Sequence, residues 1–366
     1  MRMMSLNPAQ SYPSLNLAIG TIDKQYQLEQ EVGRSQTASL YRAVEVESGR
    51  TVAVKVFQRR ISADPRFAIR FREYMKAILK INHQNLVSVL DYGVIDGRHY
   101  IVTEWVDGPD LAAYLAEHGA LSAPETVHIG SQVCSALAAV HRGGLLHRNL
   151  KPQNILLGTG GLVKVSDSGL SGLLSESGLT RTHVMLGRSS YIAPEQVRGQ
   201  AIGIGSDLYS LGVLLFEMLT NRTPFESRDA WEVMRMHVEA EPPSPIQFQP
   251  EISGALATIV LRALQKDPAS RFKSAAEMNE ALSTLEARGV PGTNGFGNLP
   301  GSGSQPRGSF SRKATFALRE ARQFLHTPLP ARIFGRQVSF GFILLLQFLL
   351  TFALTFAVLY LLTGLI

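Results

Sequence analysis

Lys55, Asn154 and Asp167 are the residues of this sequence whose side chains could do chemistry together. Lys55 lies in the apolar run 52–57 (VAVKVF), from which its ammonium can reach phosphate oxygens. Asn154 and Asp167 carry oxygen atoms of the kind that Mg²⁺ prefers. Taken alone, each has an ordinary alternative, because a strand lysine is usually solvated and asparagine and aspartate are common in turns. The elements around them must decide whether the three act together.

The hydrophobic pattern changes from strands to helices along the chain. Residues 26–57 alternate as strands do, and residues 64–82 follow a helical period. From residue 110 onward helical periodicity dominates, most clearly in 125–142 and 207–220. A β-rich first part followed by an α-rich remainder predicts an α+β fold with two lobes.

Seven short motifs follow one another between residues 26 and 285. They are a degenerate glycine loop, VAVK, HRNLKPQN, SDSG, APE, SDLYSLGVLLFEML and DPASRF. In this order and spacing they resemble the Hanks-type serine/threonine protein kinases, especially the bacterial branch. The resemblance implies a protein-kinase-like domain over residues 23–288, with an N-lobe at 23–106 and a C-lobe at 107–288.

The resemblance also implies a site for ATP and Mg²⁺. Lys55 matches the residue that binds the α- and β-phosphates, and Asn154 and Asp167 match the metal ligands. The residues that match the glycine loop, the adenine pocket and the hinge are Gly33, Ala53, Thr103, Glu104, Val106 and Leu156. Three further residues match a structural brace and a structural ion pair, namely Asp207, Glu195 and Arg271.

The catalytic loop departs from the family at the residue that does the proton chemistry. The family's HRD aspartate accepts or orients the proton of the substrate hydroxyl, and this chain has Asn149 there. An amide cannot take up a proton at neutral pH. Lys151 of the same loop is kept, but the threonine expected after Gly187 is Arg188, whose guanidinium would lie where the substrate hydroxyl belongs. Two changes at one contact predict that the phosphoacceptor site has been given up.

Two departures concern the shape of the site. Ser168 replaces the phenylalanine of the DFG motif and removes a large ring between the lobes. The glycine loop keeps Gly33 but has Ser35 and Ala38 at its other glycine positions, which lets the backbone approach phosphate less freely.

The helix that normally supplies a glutamate partner for the strand lysine shows a further departure. Ungapped spacing places Tyr74 at that position, with Glu73 one residue away and turned by about 100°. Without the glutamate, Lys55 is expected to pair with Asp167 instead.

The positive charge of the chain is concentrated near its C-terminal end. Residues 307–336 contain seven basic residues and one acidic residue, which accounts for the whole net charge of +6. Residues 1–306 therefore sum to zero, which argues against a nucleic-acid partner and favours contact with anionic lipid. One cysteine, Cys134, allows no disulfide within the chain and suits a reducing compartment.

The last segment is long and apolar enough to cross a membrane. Residues 338–366 contain no charged residue, and we predict a single transmembrane helix over 338–363. The basic residues on its N-terminal side place the kinase-like domain in the cytoplasm. The remaining predicted segments are an N-terminal extension at 1–22 and, at 289–337, a Gly/Ser/Pro-rich linker with a basic juxtamembrane part.

Two functions follow from these observations. One is a membrane-tethered pseudokinase that binds nucleotide, a protein partner or both, with little phosphotransfer. The other is an active or weakly active kinase that transfers the ATP γ-phosphate to protein serine or threonine. Asn149, Arg188 and Ser168 together favour the first.

Overall fold

The N-lobe is built on an antiparallel sheet of six strands. The computed structural model describes residues 21–175, 189–287, 328–333 and 336–339. The strands are β1 (Thr21–Ile22), β2 (Tyr26–Arg34), β3 (Ala38–Glu45), β4 (Thr51–Phe57), β5 (Val89–Ile95) and β6 (Arg98–Glu104). Their order in the sheet is β1-β2-β3-β4-β6-β5. Each strand pairs antiparallel with its neighbours.

Strand β4 separates a buried face from the face that carries Lys55. Val52, Val54 and Val56 are fully buried in one apolar cluster, as the alternation of a strand requires. Ala53 and Lys55 therefore share the opposite face. β-branched residues favour the strand conformation of β4. Because β4 pairs with β3 on one side and with β6 on the other, the positions of Ala53 and Lys55 in the sheet are fixed.

Two helices, α1 (Arg59–Ser62) and α2 (Pro65–Ile78), follow the strand. The Asp64 side chain caps α2 by accepting the Arg66 N–H at 2.9 Å, and Pro65 occupies the first helical turn, where its missing N–H costs nothing. The buried face of α2 consists of Phe67, Phe71, Met75 and Ile78. The predicted helical pattern over 64–82 is thus confirmed, with the helix ending four residues earlier.

A short helix after the SDSG motif, α5 (Leu170–Ser175), packs against α2. Leu170, Leu173 and Leu174 are buried in the same apolar cluster as Phe67 and Phe71. Ser168 is buried just before this helix, and its hydroxyl has no partner among the described residues. The leucines of α5 thus pack against the apolar face of α2, next to the position where Ser168 replaces the family's phenylalanine.

The C-lobe is helical around a core formed largely by α4 and α7. Its described helices are α3 (Leu111–His118), α4 (Ala123–Arg142), α6 (Pro194–Val197), α7 (Ile204–Thr220), α8 (Ala230–Glu239), α9 (Gly254–Ala263) and α10 (Ala275–Ala287). Ser122 and Glu125 form a capping box at the start of α4. Helix α7 is buried along most of its length, which its nearly continuous apolar sequence predicts. A hairpin of β7 (Ile155–Leu157) and β8 (Val163–Val165) carries the loops of the candidate site.

The segment after α10 is described only in part. Strands β9 (Pro328–Ile333) and β10 (Arg336–Ser339) pair antiparallel inside and just beyond the region predicted as linker. Proline is tolerated in β9 because a two-stranded pair has only edge strands. No helix within the described residues has the length and apolar character needed to cross a bilayer. The first two residues of the predicted transmembrane helix, 338 and 339, belong to strand β10 instead. Residues 340–363 lie outside the described residues, as do the extension at 1–20 and the segment 288–327.

Candidate active site between the two lobes

Lys55 and Asp167 form an ion pair across the cleft. The Lys55 ammonium donates a hydrogen bond to the Asp167 carboxylate, and the two side chains are 19% and 30% exposed. Burial raises the pKa of Asp167, but the charge and hydrogen bond of Lys55 outweigh it, so the pKa lies below its usual value. Asp167 has a left-handed backbone, with φ of 60°, as found for residues that a surrounding site holds in place. This is the pair expected in the absence of the helix glutamate.

Tyr74 takes the place of that glutamate, with a different contact. Its hydroxyl donates to the Ser168 carbonyl at 2.9 Å, and burial raises its pKa. Its ring also lies over Gly169, where an added Cβ would come within 3.2 Å of the tyrosine Cε2. Glu73 points away and pairs with Lys76 at 2.8 Å. Helix α2 is therefore tied to the SDSG segment through a neutral hydrogen bond instead of an ion pair.

We expect Tyr74→Phe to lower the free energy of unfolding by about 1 kcal/mol, because one neutral hydrogen bond is lost and the ring packing is kept. In thermal unfolding of the full chain in detergent, this corresponds to a midpoint lower by about 2–4 °C. Tyr92→Phe is the matched control, since Tyr92 is 38% exposed. An unchanged midpoint for Tyr74→Phe would show that the hydrogen bond adds nothing.

Asp207 braces the catalytic loop, as the sequence predicted. Its carboxylate accepts the main-chain N–H groups of His147 at 2.8 Å and Arg148 at 2.7 Å. The His141 Nε2 lies 2.9 Å from the same carboxylate, which is 1% exposed. Arg148 has a left-handed backbone, with φ of 63°. The brace holds the turn that leads directly into Asn149.

Asn149 and Asn154 are joined through the loop backbone. The Asn154 side-chain amide donates to the Asn149 carbonyl at 2.8 Å. The Asn149 N–H donates to His147 Nδ1 at 3.3 Å. No hydrogen bond of the Asn149 side chain itself is found among the described residues. Its amide is half-buried and stands in the loop at the place predicted for the proton acceptor.

Asn154 and Asp167 fit a Mg²⁺ ion by the chemistry of their donors. The Asn154 Nδ2 is engaged with Asn149, which leaves its amide oxygen as a ligand, and Asp167 contributes carboxylate oxygens. Mg²⁺ commonly takes only one or two protein oxygens and completes its shell with water and phosphate. Lys151 is half-buried in the same loop, and its charge helps to lower the pKa of Asp167. Arg188 lies outside the described residues.

The residues predicted for the adenine pocket and the hinge come from three strands. Ala53 lies in β4, Thr103 and Glu104 end β6 with Val106 just after it, and Leu156 lies in β7. Ala53 is 9% exposed, and Val106 and Leu156 are partly buried. The Glu104 carboxylate accepts the Ser88 N–H at 2.7 Å and pairs with Lys164 at 2.8 Å. Burial raises the pKa of Glu104, but these two contacts outweigh it and the pKa lies below its usual value. Any nucleotide contact from Glu104 would therefore come from its main chain.

The turn after the hinge requires glycine. Gly108 has φ of 148°, and a Cβ there would lie 1.8 Å from the Leu157 carbonyl oxygen. The close approach of the two backbones holds the hinge segment against β7.

The loop between β2 and β3 occupies the place of the glycine loop. Gly33 lies in β2 opposite Leu40, and a Cβ there would make only ordinary contact with Leu40. Ser35 forms a turn by accepting main-chain N–H groups from Thr37 and Ala38. The sequence analysis did not predict this turn, although serine is known to form turns in which its hydroxyl bonds a main-chain group two residues further along the chain. It did not predict the contact of the Tyr74 hydroxyl either.

Glu195 and Arg271 form the predicted buried ion pair beneath the site. Two bonds of 2.8 and 2.9 Å join the guanidinium to the carboxylate. Burial raises the pKa of Glu195, but the hydrogen bonds from Arg271 and Ser206 outweigh it and lower the pKa overall. The pair fixes helix α6 to the segment before α10.

Comparisons with known proteins agree with this geometry. The family model described as protein kinase domain matches residues 26–283. The probable serine/threonine-protein kinase PknB of Lactococcus lactis is 36% identical over 268 residues, 72% of this chain and 43% of that protein. The serine/threonine-protein kinase PrkC of Bacillus subtilis is 36% identical over 263 residues, 72% of this chain and 41% of that protein. This chain thus spans less than half the length of either relative.

The fold is shared with a solved bacterial structure. The crystal structure of the Mycobacterium tuberculosis PknI kinase domain matches with a TM-score of 0.59 and 26% sequence identity, covering 73% of this chain and 98% of that one. Its two lobes correspond to the sheet and the helical part described above. With the strand lysine paired to the SDSG aspartate across the cleft, and with a family model that matches residues 26–283, this chain belongs to the protein kinase family.

Proposed function

We propose that this chain is a membrane-anchored, kinase-like protein that binds ATP with Mg²⁺ and transfers phosphate only weakly. The observation that carries the proposal is Asn149, an amide at the proton-acceptor position of a site that keeps Lys55, Asn154 and Asp167. Lys55, Asn154 and Asp167 retain the charges and oxygens for a metal–nucleotide complex. In this proposal the chain acts in signalling by holding or regulating a protein partner through its kinase-like surface.

The binding half of the proposal rests on the charges in the cleft. The lowered pKa of Asp167 keeps its carboxylate ionised at neutral pH, as a metal ligand must be. Lys55 is already directed at this carboxylate and can turn to phosphate oxygens. Asn154 is 5% exposed and is fixed by its bond to the Asn149 carbonyl, which orients its free oxygen. ATP and Mg²⁺ are the cofactors that the family uses.

The catalytic half rests on proton chemistry. A carboxylate at position 149 could orient the substrate hydroxyl and accept its proton, whereas the amide of Asn149 has no such basicity. Asp207 holds the main chain of the loop at His147 and Arg148, so within this loop the loss is confined to the Asn149 side chain. Because the transition state of phosphoryl transfer is loose, positioning by Lys151 and the metal would still permit slow transfer.

The proposed membrane anchor rests on the sequence of the C-terminal segment. We propose that the apolar segment predicted at 338–363 forms the anchor in the part that follows β10, and that the basic residues of 307–336 contact anionic lipid on the cytoplasmic side. The intervening segment 289–337 would tether the kinase-like domain.

An active serine/threonine kinase is the second candidate. It is favoured by the intact brace at Asp207 and by the relatives that are named as serine/threonine-protein kinases. In such an enzyme the substrate hydroxyl would pass its proton to an oxygen of the transferred phosphoryl group, because position 149 offers no carboxylate to accept it.

Thermal unfolding of the full chain with and without Mg-ATP tests the binding proposal. We expect stabilisation that grows with ligand concentration, by about 2.7 kcal/mol when free ligand is about 100 times its Kd. Asp167→Ala should abolish the metal-dependent part, because it removes the carboxylate that Mg²⁺ needs. Lys24→Ala, at an exposed turn of the N-lobe, is the control that should behave as the parent protein. No shift in the parent protein would overturn the nucleotide-binding proposal.

A further inference from the structure

Helices α1 and α2 concentrate positive charge on the folded N-lobe. Residues 59–80 contain seven basic residues and two acidic residues, a net charge of +5. Since residues 1–306 sum to zero, the rest of that part of the chain carries a net charge of −5. The zero sum therefore conceals a basic surface, whose cations are Arg59, Arg60, Arg66, Arg70, Arg72, Lys76 and Lys80. Six of the seven are exposed, and Arg70 is partly buried.

Part of this charge has no partner within the protein. The side chains of Arg59, Arg72 and Lys80 form no hydrogen bond or ion pair with any of the described residues. Other surface cations are paired, as Arg222 is with Glu226 at 3.1 Å. A cation without a partner in the protein loses no contact when it approaches an anionic surface. These three are therefore available to an external anionic partner.

Two large aliphatic side chains lie among the cations. Ile69 is 62% exposed and Leu79 is 44% exposed. Ile69 is three residues from Arg66 and three from Arg72, so the three side chains are neighbours on one face of the helix. The opposite face of α2 packs in the N-lobe core. The outward face of α1 and α2 thus combines unpaired cations with exposed aliphatic side chains.

This combination fits the surface of a membrane that contains anionic lipid. Cations near such a surface are attracted to it, and aliphatic side chains enter the boundary between headgroups and acyl chains. A single-stranded nucleic acid would also attract the cations, but its bases stack on exposed aromatic side chains. Among the described residues of α1 and α2, no aromatic side chain is exposed. The proposed C-terminal anchor would also hold the domain beside a membrane.

We infer that the outward face of α1 and α2 is a second membrane-contact surface, which docks the N-lobe on anionic phospholipid. This inference rests on the proposed anchor and adds an orientation to it. The kinase-like domain would lie with α2 against the bilayer instead of being held by its C-terminal segment alone.

A fluorescent label at position 69 tests this contact in the full chain. Cys134 is buried, and burial raises the pKa of its thiol, so Ile69→Cys is labelled selectively with an environment-sensitive fluorophore. The labelled chain is reconstituted in phosphatidylcholine vesicles with and without phosphatidylglycerol. We expect emission at shorter wavelength only in the anionic vesicles, because the label then enters the apolar boundary. The shift should be lost at about 1 M salt, where the Debye length is about 3 Å.

Val46→Cys is the matched control for the label. Val46 is 56% exposed and also lies on the N-lobe, but its neighbours in the chain are Glu45 and Glu47. A label there should report the same environment in both kinds of vesicle.

Neutralising two unpaired cations tests the role of charge. In labelled Ile69→Cys, Arg72→Gln together with Lys80→Gln should lower the ratio of docked to undocked molecules by about 25-fold, since each cation near an anionic surface contributes about fivefold. Lys24→Gln together with Lys273→Gln is the control, because it removes the same charge from exposed positions outside this face. Both pairs should keep the thermal unfolding midpoint of the parent protein. An unchanged shift in the Arg72 and Lys80 variant would overturn the inference.

The remaining outcomes separate this inference from the proposed anchor. A full chain that is washed from both kinds of vesicle by carbonate would overturn the anchor, and this inference with it. A chain that stays inserted, with a label at position 69 that remains in water in anionic vesicles, would overturn this inference alone. An equal shift when a DNA oligonucleotide is added to neutral vesicles would assign the face to nucleic acid, and would also overturn it.

Discussion

Asn149→Asp is expected to raise the rate of phosphoryl transfer by about 10²- to 10⁴-fold, the contribution typical of a general base. This corresponds to roughly 3–5 kcal/mol of activation free energy. The gain is expected because the substitution restores a carboxylate without changing the size of the side chain. The main chain at this position is held on both sides, by His147 Nδ1 and by the Asn154 amide. The new carboxylate should therefore take the place of the amide.

The measurement is transfer of labelled γ-phosphate from Mg-ATP to a generic protein substrate by the full chain. Gln153→Glu is the matched control, since it also replaces an amide with a carboxylate in the same loop, at an exposed position. It should leave the rate unchanged. Equal rates for Asn149→Asp and the parent protein would mean that the amide is not what limits transfer, and Arg188 would then be the next residue to replace.

Arg271→Met should lower the free energy of unfolding by about 3–5 kcal/mol, because it leaves the Glu195 carboxylate buried without its partner. The two side chains are 0% and 4% exposed, so water cannot replace the guanidinium. Arg271 also donates to three main-chain carbonyls, those of Gln265, Gly205 and Lys266. These acceptors would lose a donor in the same variant.

Thermal unfolding of the full chain in detergent would show this loss as a midpoint lower by roughly 6–20 °C. Arg235→Met is the control, because Arg235 pairs with Glu232 and Glu239 on an exposed helix face. Its midpoint should match that of the parent protein, as expected for a solvated pair. A loss at Arg271 no larger than at Arg235 would contradict the structural role of the buried pair.

The sequence predicted the framework of the site because that framework depends on short, local patterns. The alternation over 26–57 predicted the strand that carries Lys55, and the helical period over 207–220 predicted the helix that carries Asp207. The resemblance to kinases added the Asp207 brace and the Glu195–Arg271 pair, and both are confirmed. The Lys55–Asp167 pair was predicted because the sequence has no glutamate at the family position on the helix that normally supplies the partner of the strand lysine.

The details that the sequence did not predict are hydroxyl contacts between distant parts of the chain. Tyr74 reaches the Ser168 carbonyl only because α2 lies beside the SDSG segment, a packing that no local pattern encodes. The closed turn at Ser35 is local, but its anchoring by Gln58 and Arg60 depends on the sheet register. The packing of the α5 leucines against α2, next to Ser168, was likewise not predicted.

The most direct test of the account is intact-mass spectrometry of the full chain after incubation with Mg-ATP, beside Asn149→Asp under the same conditions. We predict that the parent protein gains little or no phosphate, although Mg-ATP stabilises it, and that the variant becomes phosphorylated. Rapid phosphate incorporation by the parent protein, equal to that of the variant, would contradict the claim that Asn149 limits phosphoryl transfer.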